Sequence, residues 1–238
     1  MYAALVADGD HTGGVVDLLG LLAYAELVAF FRLSEDASLA VSLADKAALG
    51  AMAVAEFGHF GKLRSHLALL NADPEQAMLP FVEPIDAFHA RTAPSDWLEG
   101  LVKAYVGDGI AADFYRAVAE LLDPSTRALV MEVLADTGHA GFVIPRVRAA
   151  VAADPALAGR LALWARRLLG EALAQAHRVV IDRPALAHLL VARSGPPRPD
   201  GAAAASQGDI GRMFAHLTDA HDGRMADLGL AGPLTAGQ

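Results

Sequence analysis

The chain has 238 residues, a formal net charge of −9 and 54% apolar residues, of which few are aromatic. That length can bury a sizeable core in one large domain or two small ones, and that hydrophobicity excludes disorder. With no cysteine, disulfide scaffolds, zinc–thiolate sites, iron–sulfur clusters and thiol catalysis are excluded too.

The 51 alanines favour helices over an all-β sandwich, since alanine has the lowest intrinsic cost in a helix. No stretch alternates with period two, so no sheet is expected. The most apolar stretch, Gly13 to Phe31, carries Asp17 and Glu26 and therefore reads as a core helix, not a membrane span. The first residues hold Asp8 and Asp10 and no basic region, unlike a signal peptide. A soluble, cytoplasmic protein is the expectation.

In chain order the pattern predicts a helix over 12–33 and, after a turn at Ser34-Glu35-Asp36, a second over 37–70. Residues 71–95, with Pro74, Pro80, Pro84 and Pro94, read as a long crossover. Asp96 and Glu99 resemble a capping box and open a helix over 96–122. Asp123-Pro124 opens a fourth over 124–152, which Pro145 should kink, and Asp154-Pro155 a fifth over 156–181. A short helix follows Pro184, residues 194–207 read as a flexible linker, and a last helix covers 209–227. Short links make antiparallel neighbours, so the prediction is an all-α four-helix bundle of two antiparallel hairpins joined by one long crossover. The bundle occupies 1–153, additional helices 154–193 pack on it, and 208–238 forms a C-terminal helix and tail.

Coiled-coil spacing lays one apolar stripe on each bundle helix. The stripes run through Leu19, Leu22, Glu26 and Leu33; Met52, Glu56, His59 and Leu63; Ala104, Asp108, Ala111 and Tyr115; and Val133, Asp136, Ala140 and Val143, with His139 beside Asp136. Each is apolar except for one carboxylate near mid-helix, joined on two helices by a histidine one turn later. A buried carboxylate is costly unless it is paired or binds a metal. Carboxylate plus imidazole suits iron, manganese or zinc. A carboxylate on two helices and a carboxylate-x-x-His on two others is the di-iron or di-manganese constellation.

Other residues read as ordinary. His66 is expected to be a packed, hydrogen-bonded histidine, Asp113 solvated, and His216 and His221 on the surface; His89, His177 and His188 lack partner spacing. Tyr24, Tyr105 and Tyr115 are core residues that can reach the same cavity. Gly107, Gly109 and Gly138 flank the candidate ligands and permit either a close backbone approach or a π-bulge. The body is acidic, but residues 146–198 carry Arg146, Arg148, Arg160, Arg166, Arg167, Arg178, Arg183, Arg193 and Arg198, which suit either phosphate backbones or a solvated helix face.

The segments AYAELVAFF around Glu26, AVAEFGHFGKL around Glu56 and His59, AYVGDGIAADFYRAVAELL around Asp108 and VLADTGHAGF around Asp136 and His139 resemble the ferritin-like di-metal carboxylate proteins. More closely, residues 12–150 resemble the tRNA-(2-methylthio-N6-isopentenyladenosine) hydroxylase family and its actinobacterial relatives. The resemblance implies a non-haem di-iron monooxygenase with dioxygen as co-substrate, two iron ions (or manganese) as cofactor, tRNA and an electron donor as partners, and an oligomeric state left open. It implies Glu26 and Asp108 as terminal ligands, Glu56 and Asp136 as bridges, and His59 and His139 each on one metal. The chain departs from the family in carrying Asp at 108 and 136, one methylene shorter than Glu. One, two or no metals, a metal-handling protein such as a ferroxidase, and a non-catalytic interaction module remain alternatives.

Overall fold

The computed structural model describes residues 2–135, 138–191 and 202–231. Among them the elements are α1 (Tyr2–Leu39), α2 (Leu43–Leu69), α3 (Pro74–Arg91), α4 (Trp97–Ala119), α5 (Pro124–Val133), α6 (His139–Ala153), α7 (Ala156–Asp182), α8 (Pro184–Val191) and α9 (Ala202–Asp227), with no strand.

The caps are those the sequence signals. Asp73 Oδ1 accepts from the amides of Glu75 and Gln76 at 2.9 and 3.1 Å, and Asp123 Oδ1 from those of Ser125 and Thr126 at 3.0 and 3.1 Å. Asp96 Oδ1 accepts from Glu99 N at 2.9 Å, while Glu99 Oε2 reaches back to Ser95 N at 2.8 Å. Each cap satisfies amides that the first helical turn would leave unpaired.

Four expectations need correction. Ser34-Glu35-Asp36 is no turn: α1 continues to Leu39, and the break falls at residues 40–42, where the Ser42 hydroxyl caps α2 by accepting from Asp45 N. The crossover is itself largely helical. Asp73 caps α3, and Pro80 and Pro84 lie inside it without ending it. The helix expected over 124–152 is broken into α5 and α6, with Gly138 at φ 98°, a left-handed conformation that favours glycine, opening α6. Residues 202–207, expected in a flexible linker, belong to α9; the rest of that linker, 194–201, lies outside the described residues.

α1 is the spine. It packs along α2 and also against α3 and α8, while α4 carries α5, α6, α7 and α9. Glycines permit the closest approaches to α1. A Cβ on Gly20 would lie 2.2 Å from the carbonyl oxygen of Ala77 on α3, and one on Gly14 would lie 2.6 Å from that of Ala185 on α8. By length and apolar composition His11–Leu39 could cross a membrane, but 56% of its most apolar window is buried inside the bundle. This places it as a core helix.

The apolar core forms two clusters, one above the other along the bundle. One gathers Leu18, Leu19 and Leu22 of α1, Leu63 and Leu67 of α2, Phe81 of α3, Val118 of α4 and Val130 of α5. The other gathers Leu33 of α1, Leu49 and Met52 of α2, Leu101 and Val106 of α4, Val143 of α6 and Leu161 of α7. On α1, α2 and α4 the two clusters are separated at Glu26, at Glu56-x-x-His59 and around Asp108.

Gly20→Ala should lower stability by about 1–3 kcal/mol, because the new methyl meets backbone that cannot rotate away. Thermal denaturation reads this out, and an unchanged midpoint would contradict the close α1–α3 contact.

Candidate metal centre

Glu26 stands in the middle of α1. Glu56 and His59, three apart on α2, share one helix face. The antiparallel α1–α2 hairpin brings them together at the seam between the two apolar clusters. Glu26 and Glu56 are only 8% and 7% exposed. His59 Nδ1 lies 3.4 Å from Glu26 Oε2 and 3.4 Å from Glu56 Oε2. One ligand atom from each of the three residues falls within 4.8 Å of the others, a spacing able to hold a metal ion.

α4 and α6 close the group. His139, the first residue of α6, is 8% exposed; its Nε2 is 3.9 Å from Glu56 Oε1 and 3.5 Å from Asp108 Oδ2. Five of the six residues singled out by the sequence thus form a continuous array: Glu26, His59, Glu56, His139, Asp108. The sixth, Asp136, lies outside the described residues. Asp108 differs from the other carboxylates. It exposes 46% of its side chain, and it lines a large cavity.

The electrostatics are those of a site built around positive charge. Burial pushes the Glu26 carboxyl well above its ordinary range, and the neighbouring Glu56 adds to this while His59 opposes it. Burial works in the same direction on Glu56, but the close approach of His59 and Glu26 and the charge of His139 overcome it and hold that carboxyl at about 2. Glu26 and Glu56 together raise the His59 imidazole to about 9. The protein enclosing the cavity that Asp108 faces desolvates its carboxyl and lifts it to about 6, with His139 pulling down and Glu56 pushing up. Two carboxylates sharing one dry site cannot both ionise cheaply without a cation between them. In the absence of a cation the two carboxyls are driven in opposite directions, Glu26 upward and Glu56 downward.

The residues present fit a metal. Glu26 Oε2 and His59 Nδ1 are buried atoms with no hydrogen bond of acceptable geometry, which native interiors seldom leave. A transition-metal ion accepts lone pairs from both, and the donor set of carboxylate oxygen and imidazole nitrogen is that of iron or manganese. Glu26, Glu56 and His59 would hold one ion, and His139 with Asp108 offers donors toward a second.

Beside the array runs a cavity of about 470 Å³ between α1, α3, α4 and α7. Apolar residues such as Leu21, Ala29, Phe88 and Val179 make most of its wall. Asp108 and Tyr115 line it, and burial and the charge of Glu26 push the Tyr115 hydroxyl above its ordinary range. Tyr115 thus adjoins both the cavity and the carboxylate array.

Of the residues read as ordinary, His66 is as expected, its Nε2 3.0 Å from Thr126 Oγ1. Asp113 is not solvated: it accepts from Arg224 at 2.7 Å in a largely buried ion pair. Arg224 itself passes over Gly109, where a Cβ would meet its side chain at 2.6 Å, so that glycine serves a close approach. His221 is 1% exposed, held below its ordinary value by burial, and not a surface residue. His89 lines the cavity and is pushed down to about 3 by burial and then by Lys103 and Arg32. Tyr24 and Tyr105 bond to Asp86 and Asp227 and do not line the cavity. Arg32, Asp36, Lys103 and Gln175 line it without having been singled out from sequence. Only the position of Lys103, five residues before Asp108 and beside Ala104 of the same predicted stripe, could have hinted at this.

A bundle whose helices place carboxylates and histidines at a common level defines the class of ferritin-like proteins. Residues 10–193 match the family described as ferritin-like domain, actinomycetes, and the chain belongs to that family. No curated protein matches the chain.

Full-length protein loaded anaerobically with ferrous iron should retain metal, up to about two equivalents if both halves of the array fill. Glu56→Ala and His59→Ala should each remove most of it, and stripping the metal should lower the melting temperature. Elemental analysis and calorimetry check this; equal metal content in wild type and both variants would refute ligation by this array.

Proposed function

We propose that the protein is a non-haem di-iron hydroxylase, with manganese as the alternative metal, that uses dioxygen to oxidise an apolar group held in the adjoining cavity. The observation that carries this reading is the convergence of Glu26, His59, Glu56, His139 and Asp108 beside a largely apolar cavity that Asp108 itself lines. By the family resemblance Glu26 and Asp108 would be terminal ligands, Glu56 and Asp136 would be shared between the two ions, and His59 and His139 would each supply one imidazole.

When bound, such a metal pair supplies the reductive activation of dioxygen that C–H oxidation requires. The chain supplies the rest. Leu63 and Leu33, above and below the seam, belong to apolar layers that keep bulk water away. Water exclusion strengthens every charge interaction within the site. Tyr115, next to Glu26 and facing the cavity, carries an O–H able to orient a polar atom of the substrate. A cavity alongside the array favours catalysis over iron storage, which needs no organic binding site.

The substrate implied by the family resemblance is an isopentenyl group on a tRNA adenosine, in the cytoplasm. The Arg-rich segment is divided in its uses. Arg146 pairs with Asp45 and lies over the Phe142 ring, Arg160 with Asp96 and Glu99, and Arg183 with Asp17. Arg148, Arg166 and Arg178 are exposed and available to phosphates. Arg193 and Arg198 lie outside the described residues.

Iron-loaded protein given a reductant, dioxygen and isopentenylated tRNA should yield a hydroxylated nucleoside by mass spectrometry, and His59→Ala should yield none. No product, with no shift of bulk tRNA at low salt, removes the RNA substrate. Failure to bind iron removes the hydroxylase.

A further inference from the structure

The cavity is a channel. Its wall on α1 extends from Leu21 to Leu39, a rise of about 27 Å along the helix axis. Spread over that length, about 470 Å³ makes a narrow passage and not a bowl. A single isoprene unit would fill only a fraction of it. The shape suits a linear chain.

One end opens to solvent at the C-terminal end of α1. Leu39 is exposed there, and Arg32 and Glu35 form a partly exposed ion pair at 3.0 Å. Just inside lie Asp36, His89 and Lys103. Lys103 Nζ donates to the Thr92 carbonyl at 2.7 Å and lies 5.6 Å from the Phe88 ring centre, with no carboxylate of the described residues within ion-pair distance. An ammonium has three donors, so two remain. Asp36 has no ion pair either, and His89 Nδ1 is buried without a hydrogen bond. At the mouth the charges of Arg32 and Lys103 offset those of Glu35 and Asp36, so neither an anionic nor a cationic head is favoured. The groups left over are a donor (Lys103), an acceptor (Asp36) and an imidazole nitrogen that serves as either by tautomer (His89), which match a head that both accepts and donates. On the α7 wall Gln175 is 8% exposed, and its Nε2 is buried with no hydrogen-bond partner among the described residues. A polar head of a ligand is the kind of group that would satisfy such atoms in an otherwise apolar wall.

We propose that the channel binds a linear, mostly apolar molecule with an uncharged hydroxyl or carboxamide head, the head seated among Asp36, His89 and Lys103 and the chain lying past Asp108 and Tyr115 toward Gln175. This names a substrate class for the site above. That the chain is oxidised rests on the hydroxylase reading; that it is bound does not.

The test is calorimetric titration of the full-length protein, both metal-free and iron-loaded, with dodecanol, dodecanamide, dodecanoate and dodecylammonium. The alcohol and the amide should bind at one site per chain in both forms. Affinity should rise about fourfold for each methylene added between octanol and dodecanol, as expected for full burial of the chain. The two ions should bind at least about tenfold more weakly, because the mouth offers no net charge to offset their desolvation. Ala176→Phe, which narrows the channel far from its mouth, should abolish the dependence on chain length. Lys103→Met leaves the mouth with a net negative charge, since Arg32 and Glu35 offset each other and Asp36 remains, so it should weaken the alcohol and favour dodecylammonium, a reversal that general unfolding would not produce. No saturable binding, dodecanoate tighter than dodecanol, or an unchanged head preference in Lys103→Met would each overturn the assignment. Chain binding without iron uptake would defeat the hydroxylase and leave the channel standing; iron uptake without chain binding would do the reverse.

Discussion

Negative charge buried inside an apolar bundle is the constraint on which the rest of this structure depends. Glu26 and Glu56 sit between two hydrocarbon layers, where isolated carboxylates are strongly disfavoured. The bundle accommodates them by gathering countercharge at the same level: His59 between the two carboxylates, and His139 between Glu56 and Asp108. The apolar layers on either side do more than stabilise the fold. They fix four helices in axial register, so that side chains distant in sequence meet at one height.

The site has two unlike sides. Toward α2 it is closed by the α1–α2 hairpin, with Glu26, Glu56 and His59 all largely buried. Toward α3 and α7 it opens, through Asp108 and Tyr115, onto the channel. The helix α3 is what makes this second side possible. Held on α1 where Gly20 admits the Ala77 backbone, it contributes Ile85, Phe88 and His89 to a wall that an irregular crossover could not have built.

Much of this was legible in the sequence. The four stripes give the bundle because apolar spacing on a long helix admits little else, and one carboxylate interrupting each stripe marks the level of the centre. Asp73, Asp96 and Asp123 cap helices as their local pattern implies, since capping depends on residues only two or three apart. What failed depended on tertiary context. Ser34-Glu35-Asp36 looks like a turn, yet α1 runs through it because Leu33 and Ala37 are anchored in the lower cluster. Pro80 and Pro84 argued for an irregular crossover, but burial of Ala77, Met78 and Phe81 keeps α3 helical around them. Asp113 and His221 differ from expectation because α9 docks on the bundle, bringing Arg224 to Asp113 of α4 and burying its own His221, and no local pattern discloses that docking. The channel was invisible for the same reason: its polar residues come from α1, α3, α4 and α7, and no segment contains enough of them to form a motif.

The interruption between α5 and α6 has an evolutionary corollary. His59 is locked to Glu56 by three residues of unbroken helix, whereas His139 begins a new helix directly after Gly138, whose left-handed backbone sets where α6 starts. One residue inserted into that junction would turn the imidazole by about 100° around the axis of α6 if the helix otherwise kept its place. Relatives could thus lose or regain one half of the centre by changing loop length alone, with the Glu26–Glu56–His59 half and both apolar layers untouched.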